Sequence, residues 1–88
     1  MNICFFQGKI VSEINFKFVM KNEENLSSKH ISICYFDILV GNEYIITAKA
    51  YNDMADFCYS KLETGDFINI CGKLGQKYEV EIYELEKD

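Results

Sequence analysis

With 88 residues, 49% of them apolar and 26% charged, the chain is long enough for one small core and too apolar to stay disordered. A formal charge of −5 excludes a global basic field that would steer phosphates, and all nine cations are lysine. Five acids against Lys87 alone fall in residues 79–88, so residues 1–78, with eight lysines and nine acids, are nearly neutral and retain room for a local basic face.

Residues 3–20 form a β-rich run, interrupted at Gly8 and again near Ser12-Glu13. A glycine inside a strand marks a bulge or a sharp bend, so one first strand is expected to bend and serve both halves of a small barrel. Residues 21–30, KNEENLSSKH, are polar and read as a loop. Residues 31–40, ISICYFDILV, read as the second strand. Gly41-Asn42 supplies a turn, and 43–51, EYIITAKAY, makes the third strand of a hairpin. That strand alternates, and the face with Tyr44, Ile46, Ala48 and Ala50 is expected inward. Ile45, Thr47, Lys49 and Tyr51 then point outward.

Residues 52–62, NDMADFCYSKL, switch to helical spacing. Asn52 or Asp53 is expected to accept hydrogen bonds from the first turn, with Met54, Phe57, Cys58 and Leu62 on the buried side. Gly65 stands where a left-handed residue can close the helix. Residues 66–74 and 78–85 read as two more strands across a turn at Gly75-Gln76-Lys77. The order is three strands, one helix, two strands, in one unit covering residues 1–88.

Cysteines at 4, 34, 58 and 71 form no CxxC and each sits in an apolar stretch, which points to buried reduced thiols in a cytoplasmic protein. His30 is the only histidine, so no metal or other cofactor is expected. Gly72-Lys73-Leu74-Gly75 lacks the GxxxxGK[ST] pattern of a phosphate loop, and no nucleophile has a partnering base. The chain is not expected to be an enzyme. Met1–Phe6 is apolar without a basic start and breaks at Gln7-Gly8-Lys9, unlike a signal peptide or a membrane span.

The segment Leu62-Glu-Thr-Gly65-Asp66-Phe-Ile68-Asn-Ile70-Cys-Gly72-Lys-Leu74 resembles the LxxGDxVxVxGxL stretch of bacterial single-stranded-DNA-binding proteins. Asn2-Ile-Cys-Phe-Phe-Gln-Gly8-Lys9-Ile10 is similar to the opening strand of that family, NxVxLxGxL. The resemblance implies an all-β fold, a five-stranded OB-fold Greek-key barrel with one short α-helix between strands 3 and 4. It also implies single-stranded DNA, or RNA, as the partner, and a homo-oligomer, a dimer or tetramer, which the thin core favours as well. Replication, recombination or mobile-element proteins are the further partners it suggests. The family places an aromatic that stacks on a base at the end of the third strand, where Tyr51 stands. Ile45 occupies the place of a second aromatic, and the family's long basic hairpin before the last strand is reduced to about three residues.

A single-strand site needs flat rings for bases and cations for the backbone. Tyr51, Lys49, Thr47 and Ile45 on the outward face of the third strand, with Tyr35 on its neighbour, supply both. Lys9 and Lys73 each stand beside a glycine of the barrel and complete the candidate set. Asp37, if outward, would repel phosphate. Lysine contacts to phosphate would make such binding fall steeply as salt rises. The alternative reading is an OB-fold adaptor or oligomerisation module whose sheet faces protein.

Overall fold

A computed structural model describes residues 2–22 and 28–88. Its elements are β1 (Cys4–Ile10), β2 (Asn15–Asn22), β3 (Ser28–Val40), β4 (Tyr44–Tyr51), α1 (Asp53–Lys61), β5 (Phe67–Leu74) and β6 (Glu79–Lys87). The strands follow the order β1-β5-β6-β4-β3-β2, and β1 also pairs with β3, which closes the barrel. β1 and β2 are two limbs of the bent first strand, because both run antiparallel to β3. Gly8–Ile10 lies against Ile38–Val40, and Asn15–Asn22 against Ser28–Tyr35. The architecture is therefore the expected five-stranded OB-fold barrel, with its helix between the third and fourth barrel strands.

Hydrogen bonds replace the ladder where the first strand bends. The Val11 N–H donates to the Asp37 carbonyl at 3.0 Å, and the Asp37 N–H donates to Ser12 Oγ at 2.7 Å. The hydroxyl thus satisfies a backbone donor that the break would leave unpaired. From the other side, the Gly65 N–H donates to the Ile10 carbonyl at 2.8 Å and the Thr64 hydroxyl to the Ser12 carbonyl at 2.8 Å. The Glu63 N–H donates to the Asp66 carboxylate at 2.9 Å and is the main cause holding that carboxyl below its ordinary range, with Lys87 adding to it at 3.2 Å.

Alternation fixes which residues enter the core. Phe36, Ile38 and Cys34 from β3, Ile46, Ala48 and Ala50 from β4, Ile10, Ile68, Ile70, Val80 and Ile82 are all buried, and no polar side chain joins them among the described residues. On β4 the inward and outward sets are as expected, although Tyr44 at the strand's start remains exposed. Small residues on β3 and β4 make room for α1, whose Ala55 and Cys58, with Leu62 just beyond, close one end of the barrel. Burial pushes the thiols of Cys34 and Cys58 up, to about 11 and about 12.

Four local expectations are corrected. Lys21, Asn22 and Ser28–His30 are not loop but continue the β2–β3 ladder, and residues 23–27 lie outside the described ones. Phe57 is 44% exposed, because the buried stripe of this nine-residue helix runs through Ala55, Cys58 and Leu62 instead. Asn52 is the N-cap without a side-chain bond; its φ of 55° turns the chain out of β4, a conformation asparagine tolerates better than most residues. The helix ends at Leu62 in extended conformation with its N–H on the Cys58 carbonyl, so Gly65 (φ 98°) shapes the following turn and does not cap. Among the described residues no helix is long and apolar enough to cross a membrane.

Candidate functional site

The outward faces of β2, β3 and β4 line up in rows that the register defines. One row runs Asn15–Tyr35–Lys49–Glu81–Lys73 across five strands. The next row, toward α1, is Lys17–Ile33–Tyr51, and on the other side lies Asp37–Thr47–Glu79. Directly opposite residues share a face, so these side chains form one surface. They line a groove of about 490 Å³ that includes Ser12, Asn15, Lys17, Tyr35, Thr47, Lys49 and Tyr51. A smaller cleft of about 230 Å³ continues from Lys49 and Tyr51 to Lys73 and Glu81.

Of the seven residues singled out in the sequence, Tyr51, Lys49, Tyr35 and Thr47 meet in the groove, and Lys73 lines its continuation. Ile45 and Lys9 do not join them. Ile45 is 59% exposed and pairs with Leu39, whose other neighbour is Lys9. Lys9 in turn stands over the Phe67 ring at 5.9 Å, forming a separate strip beyond the Asp37–Thr47 row. Tyr51 is 36% exposed, and its ring is diagonal to Tyr35, since Tyr51 lies opposite Ile33. Such diagonal neighbours are about 7–8 Å apart.

Lys17, Asn15 and Glu79 also belong to the site but were not singled out as candidates in the sequence. Lys17 stands over the Tyr35 ring at 5.6 Å and places a cation beside it. Glu79 holds Lys49 at 3.2 Å. Asp37 points outward, and its Oδ1 accepts the Thr47 hydroxyl at 2.8 Å. The groove and its continuation thus present Lys17, Lys49 and Lys73 against Asp37, Glu79 and Glu81, a balanced set. An alternation count along β2 would have found Lys17; Glu79 depends on the parallel β4–β6 contact, which no local pattern announces.

A larger hollow of about 570 Å³ lies elsewhere, over β1, β5 and β6. Its wall has Glu84 and Glu86 and no lysine, so it suits a phosphate chain poorly despite its size. Tyr59 packs on Phe16 with centroids 4.8 Å apart, and it remains exposed, as do Tyr78 and Tyr83. Among the described residues no group of three or more His, Cys, Asp or Glu side chains could hold a metal ion.

No family model matches the chain, and no curated protein matches it in sequence. The likeness is in three dimensions. The SSB domain of a Synechococcus sp. protein superposes with a TM-score of 0.78 at 13% identity, over 98% of this chain and 94% of that one. The single-stranded DNA binding protein from Thermus aquaticus gives 0.74 at 16% identity, over 100% of this chain and 40% of that one, so this chain spans under half of that protein. The protein priB from Ralstonia solanacearum gives 0.62 at 17% identity, over 100% of this chain and 99% of that one. What is shared at these identities is the fold, the OB-fold on which the sequence resemblance also converged.

Proposed function

We propose that this chain binds single-stranded nucleic acid, with DNA as the first choice, in the groove across β2, β3 and β4. The observation that carries this reading is the diagonal pair Tyr51 and Tyr35, outward on adjacent strands, with Lys49 and Lys17 beside them. Two rings so placed accept neighbouring bases of one strand, and the lysines meet the backbone between them. A duplex hides its base faces and offers the rings nothing. The Thermus aquaticus structure is of a single-stranded DNA binding protein and the Synechococcus one is of an SSB domain, and the fold shared with them supports the reading. The chain holds and positions the strand and performs no reaction on it.

The balanced charge of the groove replaces the steep salt dependence expected from lysines alone. With three lysines at most on phosphates, the logarithm of affinity falls with the logarithm of salt at a slope no steeper than about −2, at roughly −0.7 per phosphate. Titration of a labelled oligo-dT at low salt is expected to give low-micromolar affinity or better and a weaker response to duplex. No response to any single strand at low ionic strength would overturn the reading and leave the adaptor, to be sought by pull-down with nuclease treatment.

Assembly into a homo-oligomer in the cytoplasm, serving replication, recombination or mobile-element maintenance, belongs to the same proposal. Its support is the apolar surface left uncovered away from the groove, above all Phe5 at 79% exposure, on a core this thin. Light scattering at tens of micromolar is expected to give the mass of a dimer or tetramer, and a monomeric mass would rule this out.

A further inference from the structure

The Lys49–Glu79 pair sits in the middle of the groove, where a bound strand would need the lysine. We infer that Glu79 is a built-in competitor for the phosphates of the strand, so that binding exchanges one anion for another at Lys49. The inference rests on the nucleic-acid reading above. Its basis is position as well as charge. Glu79 Oε2 lies 3.2 Å from Lys49 Nζ, at side-chain exposures of 42% and 34%. Its backbone is fixed there by three contacts. Glu79 pairs with Thr47 across the parallel β4–β6 ladder, its N–H donates to the Gln76 carbonyl at 3.2 Å, and its carbonyl accepts the Gly75 N–H at 2.7 Å. The backbone that carries the carboxylate is therefore anchored at the groove.

The other two acids act differently. Asp37 is occupied by the Thr47 hydroxyl, and Glu81, though opposite both Lys49 and Lys73, makes no ion pair among the described residues. Glu79 alone holds a groove lysine. A partly exposed pair of this kind is weak enough for a phosphate to displace it. The displacement has a signature in salt. A lysine that meets a phosphate releases a counterion from the strand, but here the freed carboxylate takes up a cation in return. The contact at Lys49 thus contributes almost nothing to the salt slope.

The test compares wild type, Glu79→Gln, Glu81→Gln, Lys49→Ala and the double variant Lys49→Ala/Glu79→Gln on oligo-dT across a salt series. Glu79→Gln is expected to bind about 1.5-fold to fivefold more tightly at low salt, with a slope steeper by about 0.7. Glu81→Gln removes the same charge without freeing Lys49 and is expected to gain less. In the double variant the gain over Lys49→Ala alone is expected to vanish. Wild type that stays silent while Glu79→Gln binds overturns the reading for the native chain, and the gate with it. Equal affinity and slope for wild type and Glu79→Gln overturn the gate and leave the nucleic-acid reading standing. A gain that persists without Lys49, or is matched by Glu81→Gln, reduces Glu79 to net charge and overturns it too. Silence from every protein overturns the reading and the gate together.

Discussion

Tyr51→Ala is expected to weaken oligo-dT binding by about 1–3 kcal/mol, the usual worth of one stacked base, or roughly 5- to 150-fold. The ring sits at the end of β4, outward and partly exposed, so its removal takes little from the core. Tyr51→Phe keeps the flat face and is expected to stay near wild type, which separates stacking from the hydroxyl. Tyr35→Ala is expected to lose less, because the Tyr35 ring is already engaged by Lys17 and part of its face is spoken for. Fluorescence anisotropy with a short labelled strand measures all three. Affinity unchanged in Tyr51→Ala, with the variant folded, would remove the central contact of the proposed site.

Gly72→Ala is expected to damage the fold itself. Gly72 lies at the register shift between β5 and β6, where the strands approach unusually closely. A methyl group there would run into the Glu81 carbonyl, which is backbone on a paired strand and has nowhere to turn. Overpacking of this kind costs about 1–3 kcal/mol and sometimes more. For a domain of this size each kcal/mol lowers the melting temperature by about 4–8 °C, so a fall of around 10 °C is expected in thermal unfolding. Gly8→Ala meets the same obstacle, with the Leu39 carbonyl oxygen 2.5 Å from the new carbon. Gly75→Ala serves as the control. Its nearest neighbour would be the Glu79 oxygen at an ordinary 3.6 Å, and it is expected to melt like wild type.

Those two glycines show why the barrel was legible in the sequence. Gly8 and Gly72 stand in strand-like runs where a glycine has no local reason to be, and both mark places where backbones crowd. Alternation on 45–51 likewise tells inward from outward, because one face of β4 must be buried and the other not, and it fails only at Tyr44, where the strand begins. The signal fails where a run is polar throughout or an element is short. Residues 21, 22 and 28–30 belong to a polar run that reads as a loop, yet their backbone continues the β2–β3 ladder, because polarity alone does not tell a strand from a loop. Phe57 reads as core and is not, because a nine-residue helix gives too few turns to tell an apolar stripe from a scatter of apolar residues.

The site was legible in half. Tyr51, Lys49 and Thr47 are one strand's outward face, and Tyr35 is on the neighbouring strand of a tight hairpin, so local pattern sufficed. Lys17 required the path of the bent first strand. Ile45 and Lys9 were grouped with the site because they share the outer surface, but a row of Asp37 and Thr47 stands between. Glu79 enters through a parallel pairing with a strand some thirty residues away, and no spacing rule reaches that far.

The path of the chain has a consequence for how the barrel comes into being. β2, β3 and β4 follow one another directly, and Gly41-Asn42, both at positive φ, turns β3 tightly into β4. At the seam between β1 and β5, by contrast, the Asn2 side chain reaches the Leu74 carbonyl across 72 positions of sequence. Loop-closure entropy falls on the chain before such remote contacts return anything, and it is lightest for neighbouring strands. The meander carrying the groove is therefore the part that can assemble first, and the β1–β5 seam zips last. The proposed binding face then stands on the early scaffold of folding, and the glycine-crowded seams complete it.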